Sequence, residues 1–212
     1  TPPEAESRGN VGYTPMVHGI ADVGLLYNNT ALLGKLTRQY APTVLLGFNE
    51  PRRHGITPEM AAHHWPKVEA IARELNVTTL VSPAAAGLDK HFWLEKFFKL
   101  CKGCRIDAIA THYYSCKIDD LTKALDRFAR HFPGKPVWIT EFNCGGAWTK
   151  PRKTVAQHAE LMRAAVAVLN AWPEVVHFAW MSGYNTHDTQ ASLFNRSRAG
   201  HLVPTELGEL YF

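Results

Sequence analysis

Apolar residues in this chain come in short, nearly continuous runs set between longer stretches of helical spacing. The runs at 11–18, 43–50, 79–83, 106–114, 136–142 and 175–181 are rich in Val, Ile, Leu and aromatic residues. They are too short for helices and lack a polar face, so they predict strands buried on both sides. Between them, apolar positions three and four apart predict helices over about 30–40, 57–75, 91–100, 119–132 and 154–171. Leu32, Leu33 and Leu36 share a face of the first. Thr57-Pro58-Glu59 opens the second with an N-cap, a first-turn proline and an early acid, and Pro66 should bend that helix. A loop or short strand at 192–195, a turn at Ala199-Gly200 and a closing helix near 204–211 follow. The first ten residues read as an extended polar arm. Strands alternating with helices imply an α/β domain with a parallel sheet and right-handed crossovers. No internal repeat or linker divides it, so one domain over 1–212 is expected.

Two of these strands end in a carboxylate. Leu45-Leu46-Gly47-Phe48-Asn49-Glu50-Pro51 delivers Glu50, and Val137-Trp138-Ile139-Thr140-Glu141 delivers Glu141. The carboxyl ends of parallel strands are where α/β folds gather ligands and chemistry. A pair of carboxylates there suits glycosidic bond cleavage. One, protonated, donates to the leaving oxygen; the other attacks the anomeric carbon or activates water. Retention predicts a separation of about 5–5.5 Å between the two groups, and an acid whose pKa is raised by burial and by its neighbour's charge.

Composition narrows the partners. The chain has 46% hydrophobic and 20% charged residues with a net charge of +4, and its basic residues are scattered. Neither a nucleic-acid surface nor an apolar run long enough to span a membrane is expected. Thr1-Pro2-Pro3-Glu4 does not read as a signal peptide, which suggests a processed or trimmed start. Cys101-Lys102-Gly103-Cys104 lacks the second CxxC of a zinc site and suggests a local disulfide or two thiols. Cys116 and Cys144 follow strands expected to be neighbours, which makes a bridge between them geometrically reasonable. If formed, it implies an oxidising compartment. Asn-x-Thr/Ser triplets at Asn28, Asn76 and Asn195 permit secretion. Of the eleven histidines, no His-x-His ends a strand and His63-His64 point apart on a helix, so no metal site is expected.

The ordered segments Tyr13-Thr14-Pro15-Met16, Leu46-Gly47-Phe48-Asn49-Glu50-Pro51, Val81-Ser82-Pro83-Ala84, Ile109-Ala110-Thr111-His112-Tyr113-Tyr114 and Trp138-Ile139-Thr140-Glu141-Phe142 resemble the glycosyl hydrolase catalytic core family, glycoside hydrolase family 128. Ala191-Ser192-Leu193-Phe194-Asn195, Gly200 and Leu207-Gly208-Glu209-Leu210-Tyr211 resemble its closing segment. The resemblance implies a retaining endo-β-1,3-glucanase, free of cofactor and metal, extracellular or associated with a cell wall. Its partner would be a β-glucan polysaccharide or oligosaccharide. Glu50 would be the acid/base and Glu141 the nucleophile. Asn49 would contact the sugar 2-hydroxyl, and Tyr113 or Tyr114 the nucleophile, beside His112. Trp180 would form a platform under the reacting sugar, with Trp148, Tyr184 and Asn185 as loop contacts and His18 lining the cleft. The alternatives are a retaining glycosidase for another β-glycan, or a shortened, lectin-like barrel that binds β-glucan without cutting it.

The implied fold is a (β/α)8 TIM-type barrel with the acid on strand four and the nucleophile on strand seven. Only six strands are present, so the first two are lacking and the barrel is left with a seam. The N-terminal arm, the 183–203 segment or a second chain should cover that seam; otherwise a monomer is expected.

Overall fold

The computed structural model describes residues 12–84, 87, 91–145, 149–186 and 189–212. Strands and helices alternate through most of the chain: α1 (Ile20–Leu26), α2 (Thr30–Tyr40), β1 (Val44–Leu46), α3 (Pro58–Glu74), β2 (Thr79–Val81), α4 (His91–Leu100), β3 (Ile109–Tyr114), α5 (Ile118–His131), β4 (Val137–Asn143), α6 (Val155–Ala171) and β5 (Val175–Trp180). A hairpin of β6 (Phe194–Arg196) and β7 (Leu202–Pro204) leads into α7 (Glu206–Tyr211). Strong caps explain the sharp helix starts. Thr57 accepts from the Met60 N–H ahead of Pro58, and Thr154 forms a reciprocal capping box with Gln157. The helix α3 continues through Pro66 to Glu74.

The strands form one wall in chain order. Met16 bridges Leu46 of β1, β1 pairs with β2, Val81 of β2 bridges Ala108, and β3, β4 and β5 pair in sequence, all parallel. Neighbouring strands consecutive in the chain, each followed by a helix, are the construction of a (β/α) barrel wall. Among the described residues, the expected first strand is reduced to a single bridge. Val17 donates to the Leu46 carbonyl and Leu46 to that of Pro15, while Pro15 has no N–H to extend the ladder. The sequence pattern also passed over α1, whose seven residues bury only Val23.

Side chains alternate between two sides of this wall. The helix side carries two large clusters: Leu45, Phe48, Trp65, Val68, Ile71 and Leu80 under α1–α4, and Ile109, Tyr113, Phe128, Ile139, Phe142 and Trp180 under α5–α7. The opposite side is filled by Val81, Ala84, Ala108, Ala110 and Trp138. Three of these five residues are alanines.

The wall is open. Among the described residues, β5 has β4 as its strand neighbour, and Val176 is 48% exposed. The described residues of the 183–203 segment do not pair with that edge. Leu193 and Phe194 donate to the carbonyls of Ser182 and Gly183, and β6 pairs with β7 instead, leaving Leu202 and Val203 exposed. The N-terminal arm lies outside the described residues. No helix among the described residues is long and apolar enough to cross a membrane.

Candidate active site

Glu50 reaches its position through an extension of β1. Past Leu46, the chain stays bonded to both neighbours: Gly47 donates to the Val81 carbonyl, Asn49 to that of His18 and Glu50 to that of Ala84. A side chain on Gly47 has no room, because its Cβ would lie 2.9 Å from Ser82 and Val81 backbone and from the Trp65 ring. At Glu50 the backbone turns into the left-handed region, with φ of 38°, and the Pro51–Gly55 turn begins. A non-glycine residue there costs on the order of 1 kcal/mol, and such strain clusters at functional sites.

Glu141 arrives by a different device. Along β4, Val137 and Ile139 face the helices and Trp138 the opposite side. Strict alternation would therefore send Glu141 toward the helices. The register against β3 instead skips Thr140, pairing Thr111 with Ile139 and His112 with Glu141. That one-residue bulge reverses the alternation and aims Glu141 at the same space as His112 and Tyr114.

His112 joins the two carboxylates. Its ring is fully buried, with Nδ1 3.0 Å from Glu50 Oε1 and 3.3 Å from Glu141 Oε2. Ionised carboxylates only accept, so Nδ1 carries the proton. Oxygens of Glu50 and Glu141 and a nitrogen of His112 lie within 4.8 Å of one another. Tyr114, on the same side of β3, donates its phenol O–H to Glu141 Oε2. Burial and the Glu141 charge push that phenol well above the ordinary tyrosine range, which keeps it a donor.

The expected rise in the Glu50 pKa is not found. Burial pushes it up, but the His112 hydrogen bond and the nearby His112, Arg53 and His54 charges together bring it below the usual carboxylate value. Arg53 Nε lies 3.0 Å from Glu50 Oε2, and its side chain is 58% exposed. Sequence reasoning missed Arg53 and His54; the only signal was their place in the turn directly after the strand-end acid. With its folded pKa depressed, Glu50 contributes stability that is complete above the unfolded pKa and is lost as pH falls through the folded one.

The remaining expected residues divide by the side of the wall they occupy. Asn49 adjoins Glu50, and its Oδ1 is buried with no hydrogen-bond partner. His18 exposes its ring against His54, centroids 4.9 Å apart. Tyr113 is on the other face from His112 and Tyr114; it packs with the helices and donates to the Lys117 carbonyl. Trp180 is likewise in that helix-side core, 6% exposed, edge-on to Phe142 and donating its indole N–H to the Ala191 carbonyl. The structure therefore places neither Tyr113 nor the Trp180 ring with the carboxylates, because residue parity and the bulge set which side each faces. Tyr184 is 40% exposed beyond β5 with the Arg196 guanidinium over its ring, and the Asn185 N–H donates to Ser192 Oγ. Trp148 lies outside the described residues. Disulfides join Cys101 to Cys104 and Cys116 to Cys144, the second linking the loops after β3 and β4 beside the site.

The family model described as the glycosyl hydrolase catalytic core matches residues 1–211. Among solved structures, a glycoside hydrolase family 128 (subgroup II) endo-β-1,3-glucanase from Sorangium cellulosum is 32% identical, with a TM-score of 0.76 over 95% of this chain and 80% of that one. A subgroup I endo-β-1,3-glucanase from Amycolatopsis mediterranei, in complex with laminaritriose, is 25% identical, with a TM-score of 0.73 over 94% of this chain and 81% of that one. A curated relative, alkali-sensitive linkage protein 1 of Schizosaccharomyces pombe, is 28% identical over 177 residues, 79% of this chain. The chain spans about a third of that relative's length, 32%.

Proposed function

Since this chain belongs to the glycosyl hydrolase catalytic core family and is similar to solved structures of glycoside hydrolase family 128, we propose that it hydrolyses β-1,3-glucan with net retention, as an endo-acting enzyme. The observation that carries this reading is the pair of strand-end carboxylates held on one imidazole nitrogen, with oxygens within 4.8 Å. That closeness suits direct attack by one carboxylate; inverting enzymes leave roughly 6.5–9.5 Å for a water between the groups.

In the first step Glu141 attacks the anomeric carbon while Glu50 gives its proton to the departing glycosidic oxygen. In the second, Glu50 takes a proton from water, which displaces Glu141 from the glycosyl-enzyme. The Tyr114 O–H fixes the orientation of Glu141, and the His112 N–H holds both carboxyl groups in register. Asn49 Oδ1 offers an unpaired acceptor for a sugar hydroxyl beside the acid. Arg53 is the counterforce, since a paired Glu50 resists protonation. Bound glucan displaces this exposed guanidinium and dries the site, and both changes raise the Glu50 pKa.

A pH profile follows from that assignment. The alkaline limb of kcat/KM reports the Glu50 proton in the free enzyme. An exposed ion pair is worth up to about 1 kcal/mol, which is roughly 0.7 pH unit. Arg53→Met should therefore move the alkaline limb several tenths of a unit higher without abolishing activity. An unmoved or downward-shifted limb would assign that limb to another group.

The open edge of β5 favours a second reading, a barrel that binds β-glucan and does not cut it. Reducing ends released from linear β-1,3-glucan, measured beside glucan binding by Glu50→Ala protein, separate the two. The enzyme releases reducing ends and its variant binds without release. A binding module binds in both forms and releases none. Cleavage confined to another β-glycan would move the substrate assignment. The two disulfides favour an extracellular or wall-associated setting, and we take the working form to be a monomer with no cofactor.

A further inference from the structure

Outside the carboxylate site, three metal-ligating side chains converge where α4 meets α5. His91 begins α4, Glu95 lies one turn later on the same face, and His131 ends α5. One ligand-type atom from each lies within 4.8 Å of the other two. The two imidazole rings stack with centroids 3.8 Å apart, and His131 Nδ1 sits 2.5 Å from Glu95 Oε1. His91 is 6% exposed, and its Nδ1 is buried with no hydrogen-bond partner. A buried imidazole nitrogen without a partner bears an uncompensated desolvation cost unless something occupies it. The neighbouring imidazole explains none of that cost, because stacked rings supply no donor or acceptor to each other's edge.

We propose that His91, Glu95 and His131 form a divalent transition-metal site of the zinc class that clasps α4 to α5. Two imidazoles and a carboxylate are a common three-ligand set for Zn2+, and water completes the tetrahedron. Softer, thiolate-seeking ions are disfavoured because no cysteine takes part, and Mg2+ or Ca2+ because two of three ligands are nitrogen. Binding would draw the three ligand atoms inward from their present spacing of up to 4.8 Å. The His131 side chain is 37% exposed and comes from the last turn of α5. The sequence concealed the site because His131 stands far along the chain from the His91/Glu95 pair, with β3 between them. The site is built on the helix layer and asks nothing of Glu50 or Glu141.

Protein stripped with a chelator and then titrated with Zn2+ in a calorimeter should bind one equivalent with Kd of about 10 μM or tighter. Its thermal midpoint should rise with Zn2+ concentration. Co2+ in its place should give the visible bands of a four-coordinate ion. His131→Ala and Glu95→Gln, both at partly exposed positions, should each weaken binding by at least about tenfold while leaving the metal-free melting temperature nearly unchanged. Absence of saturable Zn2+ binding overturns the proposal. So does binding that survives both substitutions, which would assign the ion to other histidines such as His63 and His64.

Discussion

Glu141→Ala should lose kcat on β-1,3-glucan by on the order of 10⁴-fold, equivalent to roughly 5.4 kcal/mol of transition-state stabilisation. The loss is large because the proposed mechanism has Glu141 supply the bond-forming atom, and no nearby group can replace it. Tyr114 stays a phenol, its pKa pushed up by burial and by Glu141, while His112 Nδ1 is held by Glu50. The fold should tolerate the change: Glu141 is partly exposed, and its removal leaves Tyr114 at the edge of the cleft. Unchanged circular dichroism and melting temperature would separate lost chemistry from lost structure. Azide supplies a sharper readout. In the Glu141→Ala protein it occupies the vacated space, attacks the anomeric carbon with one inversion and releases an α-glycosyl azide from a β-linked substrate. In Glu50→Ala, azide instead attacks the glycosyl-enzyme formed on Glu141, and two inversions give the β-azide. Reversed anomers would exchange the two roles, and undiminished activity in either variant would remove that residue from the mechanism.

The largest stability effect is expected at Trp65. It is fully buried in α3, edge-on to Phe48 and Phe97, and its indole N–H donates to the Arg105 carbonyl at 3.1 Å. Trp65→Ala opens a cavity behind β1 and leaves that carbonyl unpaired. Large aromatic deletions in cores cost about 3–5 kcal/mol, a large share of the roughly 5–15 kcal/mol that holds a typical domain together. At about 2–4 °C per kcal/mol for a chain of this size, the melting temperature should fall by roughly 6–20 °C. Activity measured well below the new midpoint should also drop, because the same ring backs Phe48 and Gly47, the residues that lead to Glu50. A shift under about 3 °C would mean the core around α3 repacks.

From β1 to β5 the order of strands and helices was determined by the sequence alone. Continuous apolar runs have no other stable place than a sheet covered on both sides, and Thr57 and Thr154 start their helices through bonds made within four residues. The same local logic put Glu50 and Glu141 at strand ends. Tertiary structure decided which way the side chains face. Alternation predicts Glu141 on the helix side, and only pairing with β3, which skips Thr140, turns it inward. That same parity separates Tyr114 from Tyr113, whose neighbouring positions leave no sequence reason to prefer one. The Glu50 proton affinity was equally out of reach. Burial was foreseeable, but its outcome depends on His112, brought from a strand two neighbours away, and on Arg53 folding back across a turn. So too for His91, Glu95 and His131, which meet because two helices pack side by side. Properties set by bonds within one turn can be read along a chain, whereas those set by charges and packing between distant segments exist only once the chain has folded.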